Sequence, residues 1–272
     1  MMTDTKMAPT EQRELWKGKV LVFGFGQEHG GFQIGDFHQR ESFIKVAKAC
    51  NSLGIKTVFC TQADEFSATI CRTEDFTKEF VIDGVTIKTG VKASGCLVPK
   101  NSAAFRSTAD CPTMITRNLS GEVIVAHAGR DELIDRHWVT HDKPNPARKY
   151  ESVVDAMAAY YGWQFDSLEI WSGFGIREGF RHALTDPNYG RFNERLRQYV
   201  ESRWDSNCLA GDDLEIHKLI SDQWENRYGT KKPNSDWIDT RKDIGEDGKP
   251  IWYSRSRDPR DNKTNGIFVV VN

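Results

Sequence analysis

The chain has 272 residues, of which 38% are hydrophobic and 28% are charged, and its formal net charge is −2. This composition excludes a disordered chain, and the length is sufficient to bury a large core. Because no excess of positive charge is present, we expect neither a nucleic acid nor an anionic membrane surface as partner.

Nothing in the sequence indicates membrane insertion or secretion. The apolar runs fall far short of the ~20 residues of a membrane span, and the N-terminal residues are polar, with no apolar signal core. The six cysteines are scattered and form no C-x-x-C pair. We therefore expect a cytoplasmic protein in a reducing compartment.

The first half of the chain alternates strands with a single helix. Residues 1–18 are predicted to form a flexible arm, and residues 19–272 a single domain. The sequence predicts strands over 19–26 and 56–60, with a helix over 43–53 between them that ends at Gly54. A hairpin over 80–88 should turn at Asp83 and Gly84, and strands over 112–116 and 122–126 should pair.

The second half is richer in helices. His137 and His141 have the i, i+4 spacing that chelates a metal on a helix, but Trp138, Val139 and the prolines that follow indicate a loop. The elements expected beyond them are helices over 150–161, 193–204 and 214–228, strands over 168–171, 250–254 and 266–271, and an exposed connection over 231–250. Strands and helices interleave irregularly, which favours one α+β domain.

Two residues with reactive side chains flank the predicted strand pair. Cys111 precedes its first strand and His127 follows its second. Strand ends so placed lie side by side in a hairpin. A thiolate and an imidazole together bind zinc, or the imidazole activates the thiol as a nucleophile. The two side chains could also simply be packed.

The sequence around these residues resembles a known family. T-A-D-C-P at 108–112 and H-A-G at 127–129 are similar to the T-A-D-C-x-P and H-A-G-W-R-G signatures of the YfiH/laccase-domain family. Weaker likenesses follow in the same order along the chain: residues 27–31 to R-x-G-G, 61–64 to Q-V-H, 171–176 to G-P-x-I and 253–258 to F-S-x-R-R-D. The resemblance spans about residues 19–272.

The resemblance implies a fold and a function. The fold would be α+β, with mixed sheets packed together and helices outside. The family is associated with a zinc ion held by two His and one Cys and with purine nucleosides, which are cleaved by phosphate or deaminated. Carried over, the expected residues are Cys111, His127 and Asp110 for catalysis, Asp64, Cys111 and His127 for the metal, and Arg130, Arg177, Arg257 and His29 for the substrate.

The chain departs from the family pattern at several positions. Asp64 stands where the family has a zinc-ligating His, and Arg130, Asp131 and Glu132 replace its W-R-G. Carboxylates here and at Glu28 would make the pocket entrance acidic and disfavour phosphate, unless arginines such as Arg148 compensate. Two alternatives therefore stay open: a metal-free cysteine hydrolase or deamidase using Cys111 and His127, and a non-catalytic binding protein.

Overall fold

Strands that are buried on both faces form the centre of the molecule. The computed structural model describes residues 7–32, 40–62, 68–165, 167–177, 191–211, 213–235, 238–258 and 263–272. The strands are β1 (Glu11–Leu15), β2 (Val20–Phe25), β3 (Thr57–Cys60), β4 (Ile70–Cys71), β5 (Lys78–Ile82), β6 (Val85–Thr89), β7 (Gly95–Val98), β8 (Ser102–Thr108), β9 (Thr113–Arg117), β10 (Val123–His127), β11 (Glu169–Gly175), β12 (Leu209–Ala210), β13 (Asp213–Leu214), β14 (Ile238–Asp239) and β15 (Asn265–Val271). The α-helices are α1 (Arg40–Ser52), α2 (Arg130–Leu133), α3 (Arg136–His141), α4 (Val153–Tyr160), α5 (Arg191–Arg203) and α6 (Ile216–Tyr228).

The described strands form two large mixed sheets and one small ribbon. The first sheet has the order β1-β2-β15-β8-β3-β6-β5, and the second has the order β14-β11-β9-β10-β7-β4. The ribbon pairs β12 with β13. Most neighbours are antiparallel, but β3 is parallel to both β6 and β8, β4 is parallel to β7, and β11 is parallel to β14.

The two sheets pack face to face, with helices on both outer sides. Alternate residues of one strand serve different layers, as expected from the two-residue period of a strand. In β10, Val125 joins the core between the sheets, whereas Ile124 joins the core beneath the later helices. In β15, Val269 faces the other sheet and Phe268 packs in the core that α1 covers. The expected α+β fold with sheets back to back and helices outside is confirmed.

The segment expected as a flexible arm contains strand β1. Its residues pair antiparallel with β2 from Glu11 opposite Gly24 to Leu15 opposite Val20. The polar sequence was misleading because β1 lies at the edge of its sheet, where exposed polar side chains are ordinary. Residues 1–6 lie outside the described part of the chain, and the boundary of the domain stays a prediction.

Most of the other predicted strands and helices are present in the structure, and a few are not. Strands and helices appear in the predicted places from β2 to α6, and the β5–β6 hairpin turns at Asp83, whose φ is 51°. The strand predicted over 250–254 is wrong, because Pro250 forms only an isolated bridge with Ile244 and residues 251–254 are a bend followed by irregular chain. The connection predicted to be exposed over 231–250 contains the buried strand β14. The loop expected around His137 and His141 is also wrong, because Asp135 accepts a hydrogen bond from the His137 amide and begins helix α3. None of the helices in the described ranges has the length and apolar character of a transmembrane span.

Candidate active site

Cys111 lies in a tight loop between β8 and β9. Thr108, at the end of β8, donates a side-chain hydrogen bond of 2.7 Å to the Cys111 carbonyl and closes the loop. Asn265 supports the same loop from β15, since its amide donates to the carbonyls of Thr108 and Ala109. The Cys111 side chain is half-buried, whereas the other described cysteines are buried. The loop therefore holds one partly accessible thiol in a fixed place.

His127 ends β10 beside this loop. Its amide donates to the Ser94 carbonyl, and the next amide, of Ala128, donates to the Pro112 carbonyl. The His127 ring lies close enough to the Cys111 sulfur for that sulfur to raise the pKa of the ring. The expected neighbourhood of Cys111 and His127 is thus present, and it arises because β9 and β10 pair directly.

Glu132 completes the cluster from the first turn of α2. Its Oε1 atom lies 2.9 Å from Nδ1 of His127, and its side chain is only 2% exposed. A Cβ atom at Gly129 would lie 2.7 Å from Oε2 of Glu132, 2.9 Å from Cε1 of His127 and 3.1 Å from Sγ of Cys111. The three side chains therefore converge on one point, and only glycine leaves room for them there.

The charges in this cluster and its burial have opposite effects on the pKa of His127. Burial alone would lower the pKa of His127, but the Glu132 carboxylate and the Cys111 sulfur together raise that pKa well above its ordinary value. The Glu132 carboxylate can accept a hydrogen bond from the Nδ1–H group of His127, which keeps a proton on Nδ1 and leaves Nε2 as the working nitrogen of the ring. The sequence suggested that Glu132 makes a pocket entrance acidic. In the structure it is buried and orients the His127 ring instead.

Arg148 holds helix α2 in place. Its guanidinium donates to the carbonyls of Asp131 and Glu132, at 2.9 and 2.8 Å, and its Nε donates to the Tyr150 carbonyl at 2.8 Å. Because the last carbonyls of a helix lack partners within the helix, such a donor stabilises its end. Arg148 is buried here, so it supports Glu132 from behind instead of meeting a phosphate.

Asp110 points away from the thiol and the imidazole. One carboxylate oxygen accepts from the Thr240 hydroxyl at 3.0 Å, and the other accepts from the Ser256 amide at 2.8 Å. Its backbone carbonyl accepts from the Ile176 amide at 2.8 Å. The residue expected to be catalytic thus ties three other segments to the cysteine loop.

Two of the expected substrate-binding arginines already meet protein acceptors. Arg130 is buried and pairs through two nitrogens with the Asp131 carboxylate, at 2.7 and 3.1 Å. Arg257 donates to the Trp252 carbonyl at 2.7 Å, to the Asp258 carboxylate at 2.9 Å and to two carbonyls near Thr240. A phosphate would have to displace these acceptors.

The remaining expected residues lie at other places around the sheets. His29 is in a short helical turn after β2, with Nε2 3.2 Å from Glu28 and its ring against Phe25. Burial lowers the pKa of His29 despite the nearby Glu28 carboxylate. Arg177 follows β11 directly, near enough to His217 and Asp243 to act on their pKa values.

Two of the three expected metal ligands, Cys111 and His127, lie in the described part of the chain. Asp64, the expected third ligand, lies outside the described residues. Within the described ranges, no group of three or more His, Cys, Asp or Glu side chains is arranged to hold a metal. A cavity of about 970 Å³ lies along the edge strand β5, lined by Phe43, Phe80 and Thr89 among others, and none of the expected site residues within the described ranges lines it.

Comparison with solved structures defines the fold. The chain is similar to the Neisseria meningitidis protein NMB0706 of family DUF152 (13% identity, 97% and 96% of the two chains, TM-score 0.56). It is also similar to the hypothetical protein YfiH of Bacillus licheniformis (14%, 93% of each chain, 0.58) and to YlmD of Geobacillus stearothermophilus (16%, 93% and 91%, 0.56). No family model and no curated protein matches the sequence. The chain has the YfiH fold over nearly its whole length, and the resemblance carried by its T-A-D-C and H-A-G motifs is confirmed at the level of the fold.

Proposed function

We propose that this chain is an enzyme of purine nucleosides whose reaction centre is Cys111 and His127 with a zinc ion. The observation that carries the proposal is the convergence of these two side chains at Gly129, in a fold shared with the YfiH proteins. The nucleoside as substrate comes from the resemblance of the motifs to that family.

The donors described at the centre suit zinc. Thiolate sulfur and imidazole nitrogen are its common ligands in proteins. Zinc-ligating imidazoles usually donate their other N–H to a carboxylate, as Nδ1 of His127 is placed to do toward Glu132 at 2.9 Å. Asp64 is the proposed third ligand. When bound, zinc would polarise a substrate oxygen and acidify a bound water.

The arginines favour water over phosphate as the second reactant. Arg130 is paired with Asp131 through two hydrogen bonds, and Arg257 is surrounded by carbonyls. A phosphate dianion needs several free cationic donors, and recruiting these two would break existing bonds. Within the nucleoside reactions, we therefore propose deamination ahead of phosphorolysis.

A second candidate function is a metal-free cysteine hydrolase or deamidase, and Glu132 favours it. Cys111, His127 and Glu132 follow the order thiol, imidazole and carboxylate that activates a nucleophile. The sulfur would attack an amide carbon while His127 takes the thiol proton and passes it to the departing ammonia. Water would then cleave the thioester and release the acid and the free thiol.

The two functions are separated by metal content and by products. The chain, purified without chelators, would be assayed for zinc by mass spectrometry and then incubated with adenosine, with and without phosphate. We expect bound zinc and conversion to inosine. Cys111→Ser and His127→Asn should lose the conversion and one equivalent of zinc, whereas the buried control Cys208→Ser should retain both. A release of adenine only with phosphate would identify phosphorolysis instead.

Two other outcomes would contradict the nucleoside enzyme. If Cys111→Ser and His127→Asn hold as much zinc as the wild-type chain, and the wild-type chain leaves nucleosides unchanged and reacts rapidly with iodoacetamide at Cys111, the nucleoside proposal is wrong. The cysteine hydrolase then takes its place. Tight nucleoside binding without turnover would instead support the non-catalytic alternative.

A further inference from the structure

Helix α3 presents two imidazoles that the candidate active site does not use. The rings of His137 and His141 are stacked, with centroids 4.3 Å apart and planes at 22°. They lie one turn apart on the same side of the helix, His141 exposed and His137 half-buried. The residues between them face the protein, since Val139 is buried and Trp138 packs beneath the Arg203 guanidinium.

The hydrogen bonds of both rings leave Nε2 with its lone pair. Nδ1 of His137 lies 2.9 Å from the Lys143 carbonyl, which can only accept, so Nδ1 carries the proton. Nδ1 of His141 lies 2.6 Å from the Thr140 hydroxyl. That hydroxyl donates its own proton to the Arg136 carbonyl at 3.0 Å, so it accepts from His141. A neutral imidazole protonated at Nδ1 is the form that binds a metal through Nε2.

The helix beneath the two rings is fixed at both ends. The Asp135 carboxylate accepts from the His137 amide at its start, and Asp142, with φ of 54°, ends it by donating to the Trp138 carbonyl. A guanidinium nitrogen of Arg195 in α5 also donates to the Thr140 carbonyl. The two imidazoles therefore need little reorganisation to meet one ion, which reduces the entropic penalty of binding.

We propose that His137 and His141 form a two-imidazole site for a borderline-soft divalent cation, with water in the other coordination positions. Two His residues at i, i+4 on one helix face are a known ligand pair for zinc, and imidazole also suits Ni²⁺ and Cu²⁺. Oxygen-seeking Mg²⁺ and Ca²⁺ are excluded as occupants by this donor set. This site is separate from Cys111 and His127 and does not depend on the proposed enzyme activity.

Calorimetric titration with Ni²⁺ tests the site directly. Ni²⁺ is preferred to Cu²⁺ because it does not oxidise the cysteine thiols. In the Cys111→Ser/His127→Asn variant, which removes the other proposed centre, we expect one Ni²⁺ per chain. Adding His137→Gln or His141→Gln should weaken this binding about tenfold or more, since each removes one of two ligands. Arg197→Gln/Glu201→Gln, an exposed pair of the same spacing on α5, is the matched control and should bind like the wild type.

Thermal unfolding supplies a second measurement. Ni²⁺ should raise the melting temperature of the Cys111→Ser/His127→Asn variant in a concentration-dependent way. It should have no such effect once His137→Gln and His141→Gln are added to that variant. Equal Ni²⁺ affinity of that variant with and without the His137→Gln or His141→Gln change would overturn the proposal. So would the absence of Ni²⁺ binding from Cys111→Ser/His127→Asn.

Discussion

The carboxylate of Glu132 lies 2.9 Å from Nδ1 of His127, on the far side of the ring from its working nitrogen. Both residues come from one continuous segment in which β10 ends, Gly129 turns the chain and α2 begins. This arrangement serves a zinc-bound imidazole and a proton-accepting imidazole equally well. A substitution at Glu132 should therefore affect His127 in either of the two proposed chemistries.

Replacing Glu132 with Gln should reduce the reactivity of Cys111. The amide keeps the shape of the carboxylate but loses the negative charge that holds a proton on Nδ1, and loss of such a partner reduces activity or metal affinity about 10- to 100-fold. The rate of iodoacetamide alkylation, measured on metal-stripped protein, should fall by about tenfold. The control Glu79→Gln, whose carboxylate pairs with Lys88 on the surface, should leave the rate unchanged. Equal rates in all three proteins would show that Glu132 does not orient His127.

Replacing Arg148 with Ala should destabilise the fold by about 3 kcal/mol, because several buried carbonyls lose their donor. The affected carbonyls belong to Asp131, Glu132, Ile134 and Tyr150. Arg197→Ala, which removes an exposed i, i+4 pair on α5, should change the free energy of unfolding by only about 0.5 kcal/mol. Urea unfolding followed by circular dichroism measures both. Similar losses in the two variants would contradict the role given to Arg148.

Replacing Asp110 with Asn tests whether this residue supports the cysteine loop or takes part in catalysis. Because its carboxylate bonds to Thr240 and Ser256, Asp110→Asn should lower the free energy of unfolding by about 1–3 kcal/mol. Alkylation of Cys111 in the folded variant should keep its wild-type pH profile. A large change in that profile without loss of stability would instead support the acid–base role implied by the family resemblance.

The sequence predicted the meeting of Cys111 and His127 but not the place of Glu132. The first could be foreseen because the segments that form β9 and β10 are short, largely apolar runs joined by a polar turn, which brings their ends together. The second could not, because a charged residue is normally expected on the surface. Only the immediate start of α2 after Gly129 turns Glu132 inward. In the sequence, the one feature that could have indicated this contact was a carboxylate residue five positions after His127.

Polar sequence also concealed β1 and α3. An edge strand exposes one face, so Glu11 to Leu15 carries little of the apolar pattern of β2 beside it. Helix α3 has six residues, too few to show a helical period. In both cases the neighbouring structure, rather than local preference, decides the conformation.

His217 should make the fold less stable in mild acid. Burial, with a smaller contribution from the Arg177 charge, lowers the pKa of this residue to about 4, although the Ser172 backbone, which approaches the ring, acts in the opposite direction. Its ring nitrogens make no hydrogen bond of good geometry in the described part of the chain. The folded state therefore binds fewer protons than the unfolded state between about pH 4 and 6.5, and stability falls as the pH falls through that window.

The size of this effect follows from the shift. The difference between the ordinary value of 6.5 and about 4 corresponds to about 3 kcal/mol, all of it lost by pH 4. Urea unfolding at a series of pH values would measure it, with His217→Gln for comparison. The variant should show a shallower decline below pH 6.5. Parallel curves for the two proteins would show that His217 is not the group responsible.

Asp64 decides between a working zinc centre and a metal-free one. It matches the position of a zinc-ligating His in the family pattern, and a carboxylate oxygen is a harder ligand than imidazole for borderline-soft Zn²⁺. We expect zinc to be retained less well than at a two-His site during dialysis against a mild chelator. Asp64→His should raise the retained zinc, and Asp64→Ala should lower it. All variants should carry His137→Gln/His141→Gln, so that only the Cys111 centre is counted. Full zinc in Asp64→Ala would place the third ligand elsewhere, whereas equal absence of zinc from all the proteins would favour Cys111 as a nucleophile supported by His127 and Glu132.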